Sequence, residues 1–491
     1  MSLMESSNQE LKVMVLEKSQ VAPPPLLLTE ASFPLTYFDL PLLLIAPPEK
    51  LIFYKLPNVD ISHFMDSILP QIKHSLSLTL QHFYPLAGNL IWSPELNLPV
   101  ISYVDGDSIP LTAVESSANF NHLSSYNTRD AKDFQHLIPQ LTTLDNSNSS
   151  NKPVSSCAMQ ITLFPGSGIC LGIINLHSIV DGRAVAMFLK SWASVSRLEN
   201  TSLISRDHSI TPHLDRSVIK DVDNRLRKQY WQRLAEFIRS KSMSEEDCSN
   251  WLSLSMDLNV HCHQVVATFV LARSDIEKLR KLYWASMAGR PNKDKPYPSR
   301  FELACAYVWI NIAKIPNQTT KNSSSVDDDD DEMSAISFVA DYRARLDPPI
   351  PPTYFGNCIW GIKISAKRRD IVSEDGITVA VNTVMREVRG LRDLDMNHEA
   401  RLDRLLLSGN SLSRFDGISG STQFGFYELD FGWGRPEKIE LMSKARSMNS
   451  ITFFDCGNGD DGGIEIGLVR DINEVDAFAL SFNNGLKDLI D

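Results

Sequence analysis

The chain is predicted to be a mixed α/β (α+β) protein of two domains, on three observations. Strand-type and helix-type stretches alternate through both halves with no internal repeat. The length of 491 residues suggests roughly two to four domains and allows a sizeable core. A polar stretch from Arg197 to about Asp223, with Asn200-Thr-Ser202 and Thr211-Pro-His213, breaks the alternation and places the crossover between domains. The expected division is 1–215, a crossover at 216–240, and 241–491.

The elements follow in order. Leu11–Glu17 is expected to be the first strand and Val21-Ala-Pro-Pro-Pro25 a rigid extended connection, because proline cannot continue a ladder. Ile61–Phe83 is an amphipathic helix that stops before Tyr84-Pro85. Ile169–Leu176 is short, aliphatic and glycine-interrupted, which is the pattern of a buried strand. After Gly182, apolar residues recur at Val185, Phe188, Leu189 and Trp192, which puts one helical face on a core. Val218–Lys241 reads as a helix that completes the crossover. Val265–Leu271 reads as a strand, and Ser274–Tyr283 as a helix with Asp275 and Glu277 in its first turn, where carboxylates suit the helix dipole. Asn317–Glu332, rich in Ser, Thr, Asn and Asp, is a surface loop. Gly457–Gly463, between Ile451–Phe454 and Ile464–Val469, is a hairpin turn.

Composition excludes several classes. Lys plus Arg total 48 against 60 for Asp plus Glu, a net charge of −12, so no general attraction to nucleic acid or anionic membrane is expected. Seven cysteines, an odd number without metal-type spacing, fit free thiols in a reducing compartment, and Cys358 is expected to be a packed thiol. No segment has the roughly 18–20 apolar residues of a membrane span, and Met1–Gln9 lacks a secretory pattern, so a cytoplasmic location is expected. His261-Cys262-His263 offers too few ligands for zinc, and Asp327–Glu332 is a solvated charge run. No metal site is expected.

The chemistry concentrates at His177-Ser-Ile-Val-Asp181-Gly182, where the buried strand ends and a helix begins. Such a corner projects a side chain while packing holds its backbone, which suits a general base. The same spacing also fits a satisfied core histidine beside an Asp helix cap. A second unusual stretch is Asp430-Phe-Gly-Trp433-Gly-Arg-Pro436, whose glycines permit conformations closed to other residues, and which also fits a structural turn.

Taken together, His177-x-x-x-Asp181-Gly182 and Asp430-Phe-Gly-Trp-Gly434 resemble the motifs of the BAHD acyltransferases, plant enzymes that move an acyl group from coenzyme A to a hydroxyl or amine. Tyr354-Phe-Gly-Asn-Cys358 and Asp341-Tyr-Arg-Ala-Arg-Leu-Asp-Pro-Pro-Ile-Pro351 resemble the branch acting on anthocyanin, flavonoid and other phenolic glucosides. Phe33-Pro-Leu-Thr-Tyr-Phe-Asp39, Tyr84-Pro-Leu-Ala-Gly-Asn89, Asp215-Arg-Ser-Val-Ile-Lys-Asp221 and Gly463-Ile-Glu-Ile-Gly467 extend the likeness over almost the whole chain. Leu176 departs from it, standing where many relatives have a second His.

The resemblance implies two chloramphenicol-acetyltransferase-like domains, each a mixed sheet with helices, with an active-site tunnel between them. Donor and acceptor would enter from opposite faces and meet at His177. A sugar hydroxyl needs a base to take its proton as it attacks a thioester, and imidazole, with a pKa of roughly 6.5, is matched to that task. His177 is that base, with no acyl-enzyme; no Gly-x-Ser-x-Gly elbow is present, and Ser167 in Gly166-Ser-Gly168 lacks its frame. The resemblance further implies that Asp181 pairs with Arg343 to fix the loop and that Asp430 is structural. It places Trp433 at the tunnel and Ser419 as the hydroxyl donor to the oxyanion. Relatives with this motif set use malonyl-CoA, whose carboxylate needs a cation, and Arg183 or Lys190 could supply it. Arg183 also fits a solvated first-turn residue, and Lys190 a surface side chain. The expected substrates are thus an acyl-CoA donor and a phenolic glycoside acceptor, without a permanently bound cofactor, in a monomer. Acetyl or hydroxycinnamoyl donors, and a non-catalytic ligand-binding relative, are the alternatives.

Overall fold

The computed structural model describes residues 11–25, 29–143, 152–198, 211–244, 247, 249, 252, 264–287, 296–315, 332–391, 416–442, 450–457, 459 and 462–487. Within them the chain forms two large mixed sheets and one small sheet, with helices packed on their faces. His261–His263, the acidic run from 327 to 331 and most of the predicted 317–332 loop lie outside the described residues.

The first sheet has six strands in the spatial order Val13–Val21, Ile109–Ser116, Cys157–Phe164, Gly168–Asn175, Glu49–Lys55 and Lys438–Met442. Gly168–Asn175 sits well inside it, antiparallel to both neighbours and buried at every position. Burial on both faces explains why its apolar run does not alternate. Leu171 and Ile173 join the main core, while Cys170 joins a second cluster with Leu51 and Phe53 across the sheet.

The second sheet has seven strands in the order Ile359–Lys367, Met333–Asp341, Asp416–Gly420, Ser450–Asp455, Ile464–Asp471, Gln264–Leu271 and Arg129–Asp130. Ser450–Asp455 and Ile464–Asp471 form an antiparallel hairpin. The four-stranded sheet, Glu30–Pro34, Leu98–Val104, Asn89–Ser93 and Val154–Ser155, completes the first half.

The two large sheets trade strands. Lys438–Met442, from late in the chain, pairs with Glu49–Lys55, while Arg129–Asp130, from early in the chain, pairs with Val265 and Val266. A buried ionic cluster fastens this exchange. Lys438 contacts Glu465 and lies 3.3 Å from Glu440, whose Oε1 is 2.8 Å from Arg129 Nη2. Tyr126 and Tyr427 donate to Glu465 at 2.8 and 2.9 Å. Two cations thus meet two carboxylates with extra hydrogen bonds, which offsets the cost of desolvating them.

Three elements differ in extent from their sequence reading. The first strand runs on to Val21, up to the Pro-rich connection. The helix expected over 61–83 opens at Ile61, widens into a π turn at Phe64–Ile68, and ends at Leu80. Pro70 accounts for the widening, since it lacks an N–H and its ring would clash with the carbonyl four residues earlier. The helix expected from Val218 begins only at Arg225. Asp223 and Asn224 have φ of 55° and 54°, so the chain turns sharply there, and Asp221 accepts the N–H groups of Leu226 and Arg227 at 2.9 Å.

Candidate active site

The corner is built one residue at a time. Asn175 is the last strand residue, and Leu176 extends the ladder by donating its N–H to Ser156 at 2.9 Å. Ile179 N–H returns to the Leu176 carbonyl at 3.2 Å, closing a turn. Asp181 then starts the Gly182–Leu198 helix: its Oδ1 accepts from Ala184 N–H at 3.0 Å and its carbonyl from Val185 N–H at 3.0 Å. The helix anchors itself through Val185, Phe188, Leu189 and Trp192, all buried, and Trp192 Nε1 donates to Ser75 Oγ at 3.1 Å.

His177 is the one residue from Gly168 to Asp181 that is not fully buried. Its Nδ1 is buried and makes no hydrogen bond with another described residue. Dense packing disfavours a charged ring and holds its pKa below the usual imidazole range; its own backbone carbonyl pulls upward, the Lys50 ammonium downward and Asp181 upward. The packing therefore favours the neutral ring, in a corner where His177 alone keeps part of its surface exposed.

The backbone around His177 is gripped from outside. Asn357 Nδ2 donates to the His177 carbonyl at 2.9 Å and to Asp39 Oδ1 at 2.9 Å. Arg216 donates to the Ile179 carbonyl at 3.1 Å and to Asp39 Oδ2 at 2.5 Å. Asp181 turns away from the imidazole: Arg343 Nη1 lies 2.8 Å from its Oδ2, Arg343 Nη2 lies 3.0 Å from its Oδ1, and Cys358 N–H donates to it at 3.0 Å. Arg343 Nη2 also donates to the carbonyls of Tyr354 and Gly356 at 3.0 and 2.9 Å. Cys358 is fully buried, and burial pushes its thiol well above the usual range. The crossover joins in, since His213 N–H donates to Thr353 O and Phe355 N–H to His213 O, each at 2.9 Å.

Asp430 performs local work in its own loop. Its Oδ1 accepts from Gly432 and Gly434 N–H at 2.8 and 2.9 Å, and both glycines have positive φ, 103° and 86°. The loop packs on the first sheet: the Trp433 and Phe431 rings lie edge-on to Tyr54 at 5.4 and 6.0 Å. Tyr54 donates to the Leu429 carbonyl at 3.0 Å. Ser419 lies in the Asp416–Gly420 strand, where its hydroxyl donates to the Ile451 carbonyl at 3.3 Å.

The two cations named for a donor carboxylate both have acidic partners. Arg183 Nη1 is 3.1 Å from Asp341 Oδ2, and Lys190 Nζ is 3.7 Å from Glu428 Oε2; Arg183 is exposed and Lys190 partly so. Sequence reasoning missed Asp39, Arg216 and Asn357 as parts of the site, although each stands in a stretch that carries the family resemblance. It also missed Lys50, which a sequence shows only as a polar residue near the start of a strand.

The profile of the Transferase family matches residues 11–479. A phenolic glucoside malonyltransferase 2 of Arabidopsis thaliana is 33% identical over 92% of this chain and 94% of its own length. A malonyl-coenzyme A:anthocyanin 3-O-glucoside-6''-O-malonyltransferase of Dahlia pinnata is 34% identical, covering 97% of this chain and 98% of the relative. Among solved structures, vinorine synthase superposes with a TM-score of 0.65 at 20% identity, covering 98% of this chain and 99% of that one. TRI101 of F. sporotrichioides, complexed with coenzyme A and T-2, gives a TM-score of 0.57 at 13% identity over 91% and 97% of the two chains. These two support the two-domain fold.

Proposed function

The chain belongs to the BAHD branch of the transferase family and is an acyl-CoA-dependent acyltransferase; from that premise we propose that it moves a malonyl group from malonyl-CoA to a sugar hydroxyl of a phenolic, flavonoid or anthocyanin glucoside. His177 acts as the general base. Its imidazole takes the proton of the hydroxyl as the oxygen attacks the thioester carbon, and the imidazolium then protonates the departing coenzyme A thiolate. No acyl-enzyme forms, so the two substrates must be bound together, the donor and acceptor reaching His177 from opposite faces of the junction between domain 1–215 and domain 241–491. Asp181 and Arg343 fix the loop beneath the base, Trp433 borders the site, and Ser419 is assigned to the oxyanion, for which its hydroxyl must turn from the Ile451 carbonyl.

The observation that carries this reading is the place of His177: it alone from Gly168 to Asp181 keeps part of its surface exposed, and its carbonyl and that of Ile179 are held by Asn357 and Arg216. The malonyl donor and glucoside acceptor are supported by the named activities of the relatives. The test is thiol release from malonyl-CoA with a panel of phenolic glucosides, comparing the natural chain with His177→Ala. Malonylated glucoside from the natural chain and a loss of about 10²- to 10⁴-fold in the variant are expected. Equal thiol release in both proteins would remove His177 from the mechanism. A burst of thiol without acceptor would indicate an acyl-enzyme.

A further inference from the structure

Lys50 is the second residue of the Glu49–Lys55 strand, next to the strand that ends at Asn175, and is 5% exposed. Its Nζ donates to Asn175 Oδ1 at 3.1 Å, while Asn175 Nδ2 donates to the Leu176 carbonyl at 3.1 Å. An ammonium carries three donors. Among the described residues no carboxylate pairs with this one. That is unusual, because a buried charge is normally paired or fully hydrogen-bonded. The nearest carboxylates in the ladder, Glu49 beside it in the strand and Glu440 opposite Leu51 on the neighbouring strand, lie on the opposite face of the sheet from Lys50. On its own face Lys50 has Ile52, Ile173 and Cys157, so its surroundings are apolar apart from Asn175 and the nearby His177.

We propose that Lys50 is the residue that recognises the free carboxylate of the acyl donor, and so selects a dicarboxylic acyl thioester over a neutral one. The inference rests on the acyl-transfer reading of His177 and deepens it. In a malonyl thioester the carboxylate is one methylene from the carbon under attack, so its counter-ion must stand in the layer around the base. Lys50 stands there, through Asn175, two residues before His177. Arg183 and Lys190 are less suited, since Arg183 would have to leave Asp341 and Lys190 Glu428, and both side chains reach solvent. Burial lowers the Lys50 pKa to about 8, which matches an ammonium that lacks its anion and would gain one from a bound donor.

The measurement is kcat/KM for malonyl-CoA and for acetyl-CoA with one glucoside acceptor, in the natural chain, Lys50→Met and Lys50→Arg. Lys50→Met is expected to lower the malonyl-to-acetyl ratio by about 10- to 100-fold, the worth of a hydrogen bond to a charged group, and Lys50→Arg to restore part of it. In the natural chain the KM for malonyl-CoA should rise above pH 8, as the ammonium loses its proton, while that for acetyl-CoA stays level. This second readout needs no variant and stands if Lys50→Met fails to fold. An unchanged ratio in a folded Lys50→Met, or parallel pH profiles for the two donors, overturns the assignment of Lys50 and leaves acyl transfer intact. A natural chain that accepts acetyl-CoA and rejects malonyl-CoA overturns both the Lys50 assignment and the malonyl reading.

Discussion

Arg343 Nη1 lies 2.8 Å from Asp181 Oδ2, with both side chains buried, although the residues are separated by 162 positions in the chain. The pair joins the end of the 333–341 strand in one sheet to the turn that follows the 168–175 strand in the other. Removing one partner strands the other charge in the core. Arg343→Met is therefore expected to lower unfolding free energy by about 3–5 kcal/mol. The combination Arg343→Met with Asp181→Ala should be less damaged than the sum of the two single changes, by denaturant titration.

Asn357 links the His177 carbonyl to Asp39 with one amide group. Asn357→Ala leaves both acceptors short of a donor inside the protein, a cost of about 1–3 kcal/mol. If His177 is the general base proposed above, the lost contact sets where its ring points, and kcat should fall more than KM rises. A variant whose KM changes while kcat holds would place Asn357 in substrate binding instead.

The pH profile follows from the direction of the His177 shift. Its pKa is depressed in the folded protein, so the ring stays neutral, and active as a base, to lower pH than an ordinary imidazole. The acid limb of kcat/KM should lie below the unperturbed value of roughly 6.5. By linkage, the same group costs stability as pH falls below that value, because the unfolded chain takes up the proton more readily. His177→Ala should flatten this part of the stability profile in denaturant titrations across pH 5–7.

Lys438 tests the joint between sheets. It is 1% exposed and lies between Glu465 and Glu440. Lys438→Met leaves two carboxylates facing one arginine, and a loss of about 3–5 kcal/mol is expected. A smaller loss, with the thermal transition unsplit, would mean that the strand exchange is held by apolar packing alone.

The elements most legible in the sequence are those whose own residues decide them. The strand ending before His177 and the helix after Gly182 follow from apolar periodicity, and the structure has them at Gly168–Asn175 and Gly182–Leu198. The hairpin around Gly457–Gly463 was equally plain. Less legible was the start of the crossover helix, because the left-handed turn at Asp223 and Asn224 leaves no mark on hydrophobic spacing. Asp39, Arg216 and Asn357 stood in peculiar stretches, yet no spacing rule says that an aspartate at 39 and an asparagine at 357 will share a hydrogen bond.

From its residues alone, then, this chain determined a mixed two-domain fold, a histidine at a strand-to-helix corner and membership of an acyl-transfer family, because periodicity and motif are local properties. Tertiary structure decided the rest: that late strand 438–442 enters the early sheet, that Asp181 is taken up by Arg343, and that Lys50 is buried against Asn175 with no carboxylate partner among the described residues. The reason is physical. Burial and charge pairing depend on which distant segments meet, and a group's protonation depends on the water that those segments exclude.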